Sequence, residues 1–159
     1  MHDNTAMTEP LYRVGLIGCG RKGTVHARSY DLDPRAAIVA GADTDRENLD
    51  LFCERFGVPG YDSYEKMIEQ EGIDIALPIL PVSPNPEIVI RCAQLGVKGI
   101  GCEKPMAASL ARADEMVDSA EPIRSCWPSE IWTSTCPITP APASSSIRVL
   151  SERYGPSTS

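Results

Sequence analysis

The sequence predicts an α/β fold, a doubly wound parallel sheet, and three observations carry that expectation. Strand-like and helix-like segments alternate from about residue 11 to residue 120. The longer strand-like runs are nearly continuous in apolar residues, as strands covered on both faces are. The first of them runs straight into Gly18, Gly20 and Gly23, with a helix-compatible stretch behind.

Taken in order, residues 13–17 read as the first strand and 24–32 as the first helix. A second apolar run closes at Asp43, twenty positions after Gly23. Residues 45–56 space Leu49, Leu51, Phe52 and Phe56 helically among charges and stop at Gly57. A brief strand is expected over 59–62. Ser63 reads as the N-cap of a helix over 64–70, with Gly72 as its stop. Residues 73–80 form an apolar strand, after which Pro81, Pro84 and Pro86 mark a stiff loop. Pro86 is expected to open a helix through Leu95, ended by Gly96. A short strand over 97–102 precedes an amphipathic helix over 109–120, with Leu110, Ala113, Met116 and Val117 on one side. Five βα units in succession imply the doubly wound sheet.

Bulk properties narrow the function classes. At 159 residues the chain is long enough for one domain with a real core. Its net charge is −7 and it has no basic stripe, so neither nucleic acid nor an anionic membrane surface is an expected partner. No apolar run approaches a bilayer span, and none follows a basic N-terminus. A cytoplasmic location is the default expectation. Residues 1–10 are polar and read as a flexible N-terminus in which Met7 is an alternative start. The six cysteines, Cys19, Cys53, Cys92, Cys102, Cys126 and Cys136, form no C-x-x-C pair, so buried reduced thiols are expected over a disulfide framework or zinc site. His2 and His26 are too few and too scattered to suggest a metal. His26 falls in the first helix, where a packed or solvent-facing imidazole is expected rather than a catalytic one.

A lone G-x-G-x-x-G is weak, but here a strand precedes it, a helix follows and an acidic residue closes the next strand. That is the layout by which a βαβ unit holds a dinucleotide. Gly18 permits the tight turn, Gly20 lets backbone approach a pyrophosphate, and Gly23 lets the helix pack closely on the sheet. The loop Gly18, Cys19, Gly20, Arg21, Lys22 and Gly23 is therefore a candidate phosphate cradle, aided by the helix N–H groups and dipole. Asp43, with Thr44 beside it, can accept hydrogen bonds from ribose hydroxyls and repel the extra phosphate of NADP. NAD is favoured, while Arg46 keeps NADP open. A structural glycine turn in some other α/β domain is the alternative.

Ligands of such sheets bind beyond the C-terminal strand ends. Four segments converge there by topology: the glycine loop, Asp43, the loop carrying Leu80, Pro81 and Asn85, and Glu103-Lys104-Pro105. A lysine partly desolvated beside a nicotinamide can hydrogen-bond a substrate hydroxyl or pass a proton during hydride transfer. A surface lysine before a turn proline is the bland alternative for Lys104.

Together, Gly18–Gly23, Ala42-Asp43-Thr44-Asp45, Arg55-Phe56-Gly57-Val58-Pro59, Ser63-Tyr64-Glu65 and Cys102-Glu103-Lys104-Pro105-Met106 resemble the Gfo/Idh/MocA oxidoreductases over about residues 11–120. The resemblance implies an N-terminal Rossmann domain binding NAD or NADP, and a sugar, cyclitol or related small polyol as substrate. It makes Lys104 similar to the family's active-site lysine and the Lys104–Pro105 bond a candidate for the cis form. Two departures stand out: Leu80-Pro81 replaces the usual Thr-Pro, and Asn85 aligns where a His is common. The implied cofactor-binding set is Gly18, Cys19, Gly20, Arg21, Lys22, Gly23, Asp43, Thr44, Leu80, Pro81, Asn85, Glu103 and Lys104.

After about Ala120 the text changes character. Residues 121–159 hold two tryptophans, several prolines and many Ser and Thr without periodicity, and read as an aberrant, disordered tail. The family resemblance implies a sixth strand here and then a second α/β domain supplying substrate contacts, an acid/base group and the oligomer interface. A frameshift is one account: permitted codons for residues 145–155, read from the third base, give Ile-Asp-Lys-Gly-Ala-Ile-Gly-Glu-Val-Arg, similar to a segment typical of that domain. A genuine short protein with a disordered tail is the other. Either way an unpaired sheet edge and exposed apolar surface are expected, hence marginal stability and self-association. Two functions stay open: a nicotinamide-dependent dehydrogenase acting on a CH–OH group, or a nucleotide-binding fragment without turnover. A methyltransferase fits less well with Glu103-Lys104-Pro105.

Overall fold

A computed structural model of the chain describes residues 12–124. The expectations for the N-terminus, for Cys126 and Cys136, for the frameshift and for the tail beyond 124 lie outside the described residues. Five parallel strands form one sheet in the order β3-β2-β1-β4-β5. They are β1 (Tyr12–Ile17), β2 (Ala36–Ala42), β3 (Gly60–Tyr61), β4 (Ile75–Pro78) and β5 (Gly99–Ile100), alternating with α1 (Arg21–Asp31), α2 (Arg46–Phe56), α3 (Tyr64–Glu71), α4 (Asn85–Gln94) and α5 (Leu110–Arg124). The strand order reverses between β1 and β4, the switch point at which such sheets open a crevice.

The predicted doubly wound sheet is therefore observed, with an apolar layer on each face. Val14, Leu16, Ile38 and Leu77 pack with Ala27 of α1 and with Leu49 and Phe52 of α2. On the opposite face Ile17, Ala40 and Ala76 pack with Met67 and Ile68 of α3 and Cys92 of α4. The β1–β2 register slips between Val14 and Gly15, which pair with Ile38 and Ala40. The extra residue, Val39, moves the later side chains of β2 to the other face, which is why Ile38 and Ala40 serve different layers.

Local signals fix the helix ends where they were expected. Asp45 caps α2 by accepting from the Asn48 amide at 3.1 Å, and Ser63 caps α3 by accepting from the Lys66 amide at 3.3 Å. Gly57 and Gly72 end these helices in the left-handed region. Other bounds differ. Helix α1 begins at Arg21, which brings Gly23 into its first turn. Helix α4 opens at Asn85 behind Pro84, with Pro86 in its first turn rather than at its start. Strands β4 and β5 are shorter than their apolar runs: β4 holds the four residues Ile75–Pro78 that pair with β1, and β5 only the two, Gly99 and Ile100, that pair with Ile75 and Ala76 of β4. Helix α5 continues to Arg124, past the expected end at 120.

Two apolar residues assigned to buried stripes are exposed instead. Leu51 is 60% exposed, being about 200° around α2 from the buried Leu49. Leu110 is 84% exposed at the first position of α5, whose inner face is carried by Met116, Val117 and Ala120 against Val89 of α4. Among the described residues Cys19, Cys53, Cys92 and Cys102 form no disulfide. Burial pushes Cys92 up to about 12 and raises the Cys19 thiol as well. Among the described residues no helix is long and apolar enough to cross a membrane, and no group of three or more His, Cys, Asp or Glu could hold a metal ion.

Candidate functional site

The β1–α1 turn is built by glycines with distinct duties. Gly18 has φ +93, and a Cβ there would lie 2.6 Å from the Ile79 carbonyl oxygen and 2.9 Å from Leu80 Cδ2. At Gly23 a Cβ would lie 1.9 Å from the Gly18 carbonyl oxygen, so the first turn of α1 sits directly on the loop. Gly20 differs: a Cβ there would meet nothing within 4 Å. It is the N-cap of α1 and makes no side-chain cap, which leaves the opening amides of the helix for an anion or solvent. That open flank above uncapped amides fits a pyrophosphate.

Asp43 closes β2 beside this loop. One carboxylate oxygen accepts from the Cys19 amide at 2.7 Å and the other from the Asp45 amide at 2.8 Å. Each oxygen retains a further lone pair for a hydroxyl donor. The Cys19 side chain turns away, its Sγ 3.6 Å from the Ala42 carbonyl oxygen and buried. Thr44 is exposed at the rim. Arg46 pairs with Asp50, 3.0 Å away on the same helix, rather than with Asp43.

The other two segments meet the first two through side chains. Leu80 touches the glycine loop as described, and Pro81 behind it is exposed. Asn85, at the start of α4, is fully buried and donates through Nδ2 to the Met106 carbonyl at 3.1 Å, while its Oδ1 has no partner. His26 Nε2 lies 2.8 Å from Glu103 Oε1, and Lys22 Nζ lies 4.0 Å from Glu103 Oε2. The His26 hydrogen bond, seconded by the charges of Lys22, His26 and Lys104, holds the Glu103 carboxyl below the usual range against the opposing effect of burial. The Lys104–Pro105 bond is cis, as the resemblance implied. Lys104 itself is exposed.

Four segments far apart in sequence thus form a chain of contacts beyond the strand ends: Gly18 with Leu80, Cys19 with Asp43, His26 with Glu103, and Asn85 with Met106. His26 was expected to be packed or in solvent. It is half-buried and hydrogen-bonded across 77 positions of sequence. No short-range pattern announces such a pair.

A family model for an oxidoreductase family with an NAD-binding Rossmann fold matches residues 12–124. The myo-inositol 2-dehydrogenase of Thermotoga maritima is 33% identical over 110 residues, which cover 69% of this chain and 33% of that protein. The glucose-6-phosphate 3-dehydrogenase of Bacillus subtilis is 32% identical over 116 residues, 70% of this chain and 31% of that one. The WlbA dehydrogenase of Chromobacterium violaceum, crystallised with NADH and UDP-GlcNAcA, superposes with a TM-score of 0.69 at 30% identity, covering 74% of this chain and 34% of its own. The chain spans about a third of the length of these relatives.

Proposed function

The chain belongs to the Gfo/Idh/MocA oxidoreductase family, and from that premise we propose that it binds NAD across the C-terminal ends of β1, β2, β4 and β5 as part of a dehydrogenase acting on a CH–OH group of a sugar, cyclitol or related small polyol. The observation that carries this reading is the contact chain joining the glycine loop, Asp43, the Leu80–Asn85 loop and the Glu103–Met106 turn at one end of the sheet. The opening amides of α1 and the open flank at Gly20 receive the pyrophosphate. Asp43 accepts from the adenosine ribose and disfavours the additional phosphate of NADP, while Arg46 is engaged by Asp50. Bound NAD would supply the hydride acceptor. Lys104 is the group offered to hydrogen-bond the substrate hydroxyl and carry its proton.

A second reading, nucleotide binding without turnover by this chain, is favoured by the exposure of Lys104, since no described residue covers it and catalysis needs reactants held together. The four described cysteines, none of them in a disulfide, support a reducing, cytoplasmic setting. Val25, Leu51 and Leu110, each more than half exposed, are the apolar contacts through which we would expect copies to associate. A panel of polyols and sugars read at the nicotinamide absorbance tests the enzyme reading: Lys104→Ala is expected to abolish any turnover. A rate that Lys104→Ala leaves unchanged removes Lys104 from the mechanism.

A further inference from the structure

We propose that His26 and Asn85 are positioning residues for Lys104, each tying one end of the Glu103–Met106 turn to a different helix. Ordinary sheet pairing cannot set the place of this turn. Strand β5 holds only Gly99 and Ile100, and after the Gly101 amide bonds Ala76 the chain enters bends with no ladder behind it. Lys104 therefore stands on a segment whose main chain is fixed from outside.

Two fixings are present, one on each side of the lysine. Before it, Glu103 is bonded at 2.8 Å to His26 of α1, and its carboxylate is held charged by that bond and by Lys22. After it, the Met106 carbonyl is bonded at 3.1 Å to Asn85 of α4. Asn85 is fully buried with its Oδ1 unpartnered, an arrangement that costs stability and that an apolar residue would avoid. Its return is geometric: the amide links α4 to the turn. Helix α1 also opens on the glycine loop, so the His26 link sets the distance from the phosphate end of the cleft to the lysine. This rests on the reading of Lys104 as the cleft lysine. It gives Glu103 and Asn85 an indirect part in the site, through the turn.

Amide relaxation of the ligand-free 159-residue chain, followed by titration with ADP-ribose and NADH, tests the proposal. In the parent chain the Lys104 amide is expected to be ordered like the helices, with an order parameter near 0.85. In His26→Ala and in Asn85→Leu, which keeps much of the volume but has no donor, it is expected to fall below about 0.6 while the amides of α1 and α4 stay rigid. His26→Gln, which can still donate to Glu103, is expected to restore the order. In His26→Ala ADP-ribose affinity should stay within about twofold, while the ratio of NADH to ADP-ribose affinity falls about fivefold or more (about 1 kcal/mol). An ordered Lys104 amide in both folded variants, or a mobile one in the parent, overturns the proposal. A turn that loosens as expected in a chain binding neither nucleotide leaves the positioning intact and removes the cofactor reading instead.

Discussion

The two halves of the sheet hold their loops by different means. On the β1–β2 side the glycine loop is held chiefly by main chain: Gly23 lies against the Gly18 carbonyl, Gly18 against the Ile79 carbonyl, and the Gly18 amide donates to the Ala42 carbonyl at 2.9 Å. On the β4–β5 side a two-residue strand leads into a turn held by the side chains of His26 and Asn85. Close packing of backbone tolerates no added atom, whereas a side-chain tether tolerates bulk but not the loss of a donor. The first half should therefore break on a methyl group and the second on a hydrogen bond.

The sharpest way to break this contrast lies among the glycines. Gly23→Ala puts a methyl 1.9 Å from a carbonyl oxygen and is expected to cost about 3 kcal/mol or more, read from the urea midpoint. Gly20→Ala, with nothing within 4 Å, should cost less than about 1 kcal/mol and yet weaken NAD, because the methyl enters the space assigned to phosphate. Equal stability losses at the two positions would dissolve the distinction between packing glycine and cradle glycine. On the other half, Asn85→Ala removes the donor to the Met106 carbonyl and empties a fully buried site, and is expected to cost about 1–3 kcal/mol.

Smaller effects separate ligand from scaffold. Asp43→Ala removes the acceptor assigned to the ribose and the partner of two amides, so NAD affinity should fall about tenfold, with NADP affected less. Smallest is the acid limb of stability. Glu103 is held below the usual carboxyl range in the fold, so its contribution is complete above the ordinary glutamate range and is lost as pH falls through the lowered value. Glu103→Gln should flatten that limb in acid denaturation and leave the pH dependence near neutrality unchanged. An unaltered acid limb would mean the His26 contact does not form in solution.

What the sequence disclosed follows the same division. Ser63, Gly57 and Gly72 act within one turn of their own position, so their effects are readable locally. The glycine loop and Asp43 are legible because strand, turn and acid occur in fixed order along one βαβ unit. The ends of β4 and β5 were not, since β4 stops where its ladder to β1 stops and β5 where its ladder to β4 stops, and an apolar run says nothing of that. Leu51 and Leu110 carry the composition of a core and lie outside it, because a helix face is chosen by what packs against it. The His26–Glu103 and Asn85–Met106 links join residues 77 and 21 positions apart, the first between two side chains and the second from a side chain to a main-chain carbonyl, and only the assembled sheet brings them together.

The central claim is that the glycine loop and Asp43 form one cradle for an adenine dinucleotide, and calorimetric titration of the folded 159-residue chain with NAD and then NADP tests it most directly. Saturable binding near one NAD per chain, tighter than NADP and losing that preference in Asp43→Ala, is the predicted result. A chain that circular dichroism shows to be folded and that gives no heat with either nucleotide at saturating concentration would contradict the account.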